Sequence, residues 1–252
     1  MSINHTKPMT IAAHRGDSYN HFENTMTAFE AALKSGATMI ETDVHLSADN
    51  VVVIMHDNTV DRTTDGKGNI SDMTVEELLK LNAGNKIAPE KIPLFEVFIK
   101  WAAEKQVLLN IEFKEYYSEE NAERCVKCIE DVLALVEKYN LKDNVVFNSF
   151  DAWVLEYIYK KHGKKYMLHG FYPYSIMKNV TINPDEYLYC ACIFDDKNKS
   201  LYDYLIEKNI EPWVGAGVTQ EDRFALCLEY GAKLVTTNNP ADTIRKLERL
   251  SK

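Results

Sequence analysis

Eight short apolar segments, helical periodicity in most intervals between them, and a length of 252 residues predict an α/β fold: a TIM (β/α)₈ barrel, one domain over 1–252. The strand candidates are, in order, MTIAAH, TMIETDV, VLLNIEF, NVVFNS, KYMLH, YLYCAC, EPWVGA and KLVTTN. The clearest helices are ENTMTAFEAALKSG, EENAERCVKCIEDVLALVEKY, DAWVLEYIYKKHG and QEDRFALCLEYG. Their ends carry suitable residues. Asp151 and Thr219 stand at N-caps, Pro240 at a first helical position, and Gly36, Gly163 and Gly231 just past helix ends. A doubly wound open sheet is the alternative arrangement of the same elements.

One stretch breaks the alternation. Between about residues 50 and 92, a strand-like VVVIMHD is followed by RTTDGKGNISD and a short helix, TVEELLKLNAG, opened by a Thr74–Glu77 capping box. This is too long for a plain loop after strand 2, and it leaves from the carboxyl end, where barrel active sites lie. We read it as a small inserted cap.

The net charge of −9 argues against a nucleic-acid partner and, more weakly, against anionic membranes. A small anionic substrate stays compatible, because a local cation reverses the field inside one pocket. No run of about 18 apolar residues suggests a membrane anchor, and the first residues lack a signal-peptide pattern, so the expectation is a cytoplasmic protein. Five cysteines make a poor disulfide framework. Cys125 with Cys128, and Cys190 with Cys192, have zinc-like spacing, yet they lie in a helical and a strand pattern and read as buried thiols. The 14 tyrosines identify no interface, and the oligomeric state is not legible.

Side chains two apart on a strand share a face. Glu41 and Asp43 therefore point together on strand 2, and Glu112 with Lys114 on the neighbouring strand 3. Three converging carboxylates repel unless a counter-charge joins them. A hard dication bound by oxygen, Mg²⁺ or Ca²⁺, resolves this; simple pairing with Lys114, Arg15 or Arg62 is the plainer reading. His14 ends strand 1 and His56 follows the carboxylates in MHD. Two imidazoles reaching one pocket make an acid/base pair, although each alone is more often a rim or core residue. Arg15 and Lys114 suit phosphate oxygens as well as the acids. Trp213 is a candidate apolar wall for an alcohol, against its ordinary place in a core. Of His5, His21, His45, His162 and His169, only the last stands at a strand end worth watching.

Together these residues resemble the glycerophosphodiester phosphodiesterase family. The resemblance rests on AAHRGDSYNHFENTMTAFEAALKSGA, on MIETDVHLSADNVVVIMHDNTVDRTTDGKGNISDMTVEELLKLNAG, and on LLNIEFK, NSFD and VTTNNP. It runs over nearly the whole chain and is densest from Ala13 to Lys114. It implies a TIM barrel with a cap and one divalent cation held by Glu41, Asp43 and Glu112. It implies His14 and His56 as general acid and base, and Arg15 and Lys114 on the phosphate. Glu23 and Asn24 match the family's ENT and are expected to brace the site, with Asn24 as a helix cap instead in the plainer view. The chain departs from the family pattern at Phe22, where proline is usual. It departs again at Trp213-Val214-Gly215-Ala216-Gly217, where a Trp-Thr-Val-Asn-like run is common. The second change removes polar groups near the alcohol end of the substrate.

The implied reaction is hydrolysis of a glycerophosphodiester to glycerol 3-phosphate and an alcohol. Three rivals stand beside it: a lysophospholipase D-like hydrolase, a catalytically silent binder of phosphate esters, and a metal-dependent sugar isomerase on the same fold.

Overall fold

The computed structural model describes residues 2–6 and 8–250. Its strands are β1 (Thr10–His14), β2 (Met39–Leu46), β3 (Val52–Ile54), β4 (Leu108–Phe113), β5 (Val145–Asn148), β6 (Met167–Tyr172), β7 (Cys190–Ile193), β8 (Glu211–Val214) and β9 (Leu234–Thr237). All but β3 pair in parallel, in the order β1-β9-β8-β7-β6-β5-β4-β2, and β1 also pairs with β2. The sheet is thus a closed barrel of eight parallel strands, as in a TIM barrel. The helices α1 (Met26–Lys34), α2 (Val75–Leu78), α3 (Phe95–Lys105), α4 (Ala122–Lys138), α5 (Ala152–His162), α6 (Lys199–Glu207), α7 (Glu221–Glu229) and α8 (Pro240–Leu250) follow the chain order.

All eight strand candidates coincide with barrel strands. The connection between β6 and β7 differs from a full set of βα units, because it holds two 3₁₀ turns, at 174–176 and 184–186, in place of an α-helix. Pro173 and Pro184 lack the N–H that a helix interior needs, and the β-branched Val180, Thr181 and Ile182 between them add no helical preference. Asp151 caps α5 by accepting from Trp153 N at 3.1 Å. The cap position of α7 belongs to Gln220, not to Thr219, and Gln220 makes no side-chain cap bond.

Alternation divides the barrel interior into two levels. Ala12, Met39, Val146, Met167, Cys190, Trp213 and Leu234 pack together as an apolar plug toward the amino ends of the strands. Two residues further along each strand stand His14, Glu41, Asn148, His169, Cys192, Gly215 and Thr236, all lining one cavity. The opposite faces of the strands, such as Ile40, Ile111 and Phe147, join the larger core under the helices.

The insertion has its own small core of Val53, Met55, Val60, Ile70, Leu78, Ala83 and Ile92. It is anchored by β3, which runs antiparallel to the extended end of β2 in the register Val44↔Ile54, His45↔Val53 and Leu46↔Val52. Thr74 and Glu77 form the capping box of α2. Where the hairpin returns, His56 and Asp57 are delivered to the mouth of the barrel.

Candidate active site

The HRG turn sets the first side of the site. Gly16 has φ +81°, and a Cβ there would lie 2.6 Å from the backbone carbonyl carbon of Ala28, so only glycine fits. Arg15 itself takes the left-handed φ of 58°. Its N–H donates to Glu41 Oε2 at 2.9 Å. Asn24 is also left-handed, at φ 56°. Its Nδ2 donates to Asp43 Oδ2 at 2.9 Å while its Oδ1 accepts from Thr42 Oγ1 at 2.9 Å. Thr25 caps α1, so Asn24 is free to brace Asp43.

Glu41, Asp43 and Glu112 are all buried, and one oxygen from each lies within 4.8 Å of the others. Two cations face them. Lys114 Nζ bonds Glu112 and sits 3.1 Å from Asp43 Oδ1, and Arg15 Nε is 3.5 Å from Asp43 Oδ2. The neutralisation is uneven. Burial and the nearby Asp43 push the Glu41 carboxyl up to about 8. Burial, against the pull of Lys114 and with Asp43 and Glu41 adding to it, raises Glu112 to about 7. Asp43 is also buried, but Lys114 and Arg15 outweigh that and hold it below the usual carboxylate range. Its buried Oδ1 is faced by the Lys114 ammonium as an ion pair at 3.1 Å. A buried cluster of three acids facing two cations, with two carboxyls forced toward neutrality, fits a hard dication held by oxygen alone.

The histidines approach from two depressions. His14 lines the cavity at the carboxyl ends of the strands, with Nε2 3.9 Å from Glu41 Oε2 and Nδ1 2.6 Å from Asn238 Oδ1. His56 lines a shallower one with Lys114 and Tyr116, its Nδ1 2.7 Å from Asp57 Oδ1. Burial lowers both histidines from their ordinary value, so each ring is neutral at neutral pH. Each Nδ1 faces an oxygen that accepts, which places the ring proton there and leaves Nε2 as the free base. Asp57 is itself held ionised by Arg62, whose Nε donates to Oδ2 at 2.7 Å. Arg62 also binds Glu23 at 2.7 Å, and Glu23 reaches Arg15 at 3.0 Å. One chain of ion pairs therefore ties the insertion to the HRG turn.

Across the cavity the wall changes character. Phe150 stacks on Phe171 with centroids 3.7 Å apart, and Phe194 meets both edge-on. Gly215, Ala216 and Gly217 leave the adjoining side open, and the space amounts to about 390 Å³.

A family model described as the glycerophosphoryl diester phosphodiesterase family matches residues 14–183. The chain belongs to that family. A glycerophosphodiester phosphodiesterase of Caldanaerobacter subterraneus subsp. tengcongensis is 42% identical over 159 residues, 60% of this chain and 61% of that one. The chain thus spans under two thirds of the length of the first relatives it matches. Another such enzyme, from Bacillus altitudinis, is 33% identical over 84% of this chain and 78% of its own. Among solved structures, an Oleispira antarctica phosphodiesterase in complex with the product sn-glycerol-3-phosphate superposes with a TM-score of 0.76 at 21% identity, covering 95% of this chain and 96% of that one. That likeness speaks for the fold.

The residues expected from sequence meet at one place, with an exception. Trp213 lies below the cavity, 1% exposed, its Nε1 bonded to Glu211 at 3.2 Å. It is part of the apolar plug and does not line the cavity, which is reached two residues on by Gly215, just past the end of β8. Glu23 engages two guanidinium groups and orients Arg15. Sequence reading did not find Asp57 or Asn238 as partners of the histidines, although both stand in runs that carried the resemblance, MHD and VTTNNP. The Cys125–Cys128 and Cys190–Cys192 pairs are buried free thiols, as their patterns suggested.

Proposed function

We propose that this chain hydrolyses a glycerophosphodiester to glycerol 3-phosphate and an alcohol, with one divalent cation, Mg²⁺ or Ca²⁺, bound by Glu41, Asp43 and Glu112. The observation that carries this reading is the buried triad of carboxylates, three acids facing two cations, set beside two neutral histidines. A bound dication would polarise the phosphodiester and stabilise charge on its oxygens. Arg15 and Lys114 offer fixed positive charge for the same oxygens, and Glu23 with Arg62 keeps Arg15 in place. The free Nε2 of one histidine takes the nucleophile's proton, and the other histidine, once its own Nε2 has taken up a proton from solvent, delivers that proton to the leaving alkoxide. Asp57 and Asn238 hold the two rings in the required tautomer. The nucleophile is the substrate's own 2-hydroxyl or a water; a 1,2-cyclic glycerophosphate trapped in a single turnover distinguishes the first.

The insertion supplies His56, Asp57 and Arg62, which favours 1–252 acting as one domain. No described helix is long and apolar enough to cross a membrane. Five buried, unpaired cysteines fit a reducing cytoplasm. The reaction would belong to the turnover of deacylated phospholipids.

The test is hydrolysis of deacylated glycerophosphodiesters by chelator-treated protein, with Mg²⁺ and Ca²⁺ restored separately and glycerol 3-phosphate measured. Turnover restored by either ion supports the reading and names the metal; a folded protein that binds the ion yet turns over no diester is a silent binder instead. One feature favours a second reading. Phe194, at the cavity rim beside Phe150 and Phe171, is 56% exposed, an apolar landing for an acyl chain. Activity on lysophospholipids but not on deacylated diesters would select that lysophospholipase D-like alternative.

A further inference from the structure

The cavity has a second polar surface that the hydrolytic machinery leaves unused. Register sets Asp43, Glu112, Asn148 and His169 side by side on β2, β4, β5 and β6. The row starts in the charged cluster and ends two strands beyond Glu112, each step about 4.8 Å. Asn148 and His169 are 2% and 4% exposed, and both line the cavity.

Their inner partners fix what they present. Asn148 Nδ2 donates to Asn110 Oδ1 at 2.8 Å, and His169 Nδ1 lies 3.3 Å from the same oxygen. An amide oxygen only accepts, so Nδ1 carries the ring proton and Nε2 is a bare lone pair. Burial alone drives His169 down to about 3, and the ring stays neutral. What remains is Asn148 Oδ1 and His169 Nε2, both buried and both without a hydrogen-bond partner among the described residues. Two orphaned acceptors at this depth are costly unless something donates to them.

The donor's chemistry follows from the surroundings. An anion would meet lone pairs, and a quaternary ammonium has no proton to give. A primary ammonium would lose its hydration beside neutral acceptors, at a large cost. A hydroxyl loses little. Phe171, which lines the cavity 5.2 Å from the His169 ring, suits the carbon skeleton that carries the hydroxyls. A glycerol hydroxyl lies about one strand spacing from a phosphate seated at the charged cluster.

We propose that Asn148 and His169 form a hydroxyl-reading floor that selects diesters by a polyol group: the glycerol unit itself or a polyol leaving group. This rests on the hydrolase reading above and names the specificity of that same site.

The test uses His169→Phe, which keeps ring volume and loses the acceptor, and His169→Gln, which returns an acceptor. Asn148→Leu on the neighbouring strand gives an independent readout should the first variant fail to fold. kcat and KM are measured on glycerophosphoglycerol, glycerophosphocholine and bis(4-nitrophenyl) phosphate, which carries no hydroxyl. The expected result is a roughly tenfold fall in the ratio of kcat/KM for hydroxyl-bearing over nitrophenyl substrate, mostly through KM, with recovery in His169→Gln. A fall on both natural diesters places the glycerol unit on the floor; a fall confined to glycerophosphoglycerol places the leaving polyol there. An unchanged ratio overturns the proposal. Wild-type protein inactive on all three would remove the hydrolase reading, and calorimetric titration with glycerol 3-phosphate then decides: equal affinity in wild type and His169→Phe overturns the floor as well.

Discussion

The two ends of the barrel treat their acids in opposite ways, one partly buried and the other deeply buried. Toward the amino ends, Glu211 accepts from Tyr189 Oη at 2.7 Å and from Trp213 Nε1 at 3.2 Å, and pairs with His5 at 2.7 Å. These partners outweigh its burial and hold the carboxyl below its ordinary range. Toward the carboxyl ends, Glu41, Asp43 and Glu112 share two cations, and two of the three are pushed up toward neutrality. One end closes its electrostatics within the chain; the other leaves them open for something bound. The same contrast recurs beside the insertion, where Glu115 accepts from Leu46 N at 3.0 Å and from Arg124 Nε at 2.9 Å. Acids held ionised by their partners brace the fold, and acids pushed toward neutrality mark a candidate site.

The comparison can be broken most sharply at the open end. His14→Ala and His56→Ala should each lower turnover on the order of 10²–10⁴-fold, while thermal melting stays near wild type. Near-normal rates in both, by steady-state assay of glycerol 3-phosphate release, would take the histidines out of the chemistry.

Glu115 should behave the other way. Despite burial, bonds from His45, Arg124 and Leu46 N hold its pKa at about 2 against an ordinary 4.5. A depressed carboxyl contributes stability above its unfolded pKa, and loses it as pH falls through the folded one. Its contribution, up to roughly 3 kcal/mol, is therefore complete above about pH 4.5 and fades toward about 2. Glu115→Gln should be destabilised at pH 7, with its deficit shrinking across that window; a pH-independent deficit in urea titrations would contradict the account.

Adding Mg²⁺ or Ca²⁺ to chelator-treated protein should raise its stability, by about 2.7 kcal/mol at a hundredfold excess over Kd. In Glu41→Gln that gain should be strongly reduced. The smallest effect is expected at the closed end. Glu211→Gln should cost about 1–2 kcal/mol, because it disturbs satisfied hydrogen bonds, with kcat and KM unchanged. A loss of activity matching its loss of stability would mean that the two ends are not independent.

Much of this molecule is written locally. Strand alternation in MIETDV and LLNIEF settles that Glu41, Asp43 and Glu112 share the barrel lumen, because the period of two is a property of the backbone. The ordered run from HRG through ENT to MHD carried the resemblance that the family match confirmed. Gly16, the capping box at Thr74 and the end of α5 at Asp151 likewise answer to residue type at a single position. What stayed hidden depends on distance through space. Nothing near Trp213 in the chain tells which level of the lumen its indole occupies; that is fixed by the stagger of β8 against β7 and β9 once the barrel closes. The capping of His14 by Asn238 joins the first strand to the last, across 224 positions. The Asn110–Asn148–His169 floor draws one residue from each of three strands. Sequence by itself determined which groups point inward, through backbone geometry. Only closure of the barrel decided which of them meet, and which are left without a partner.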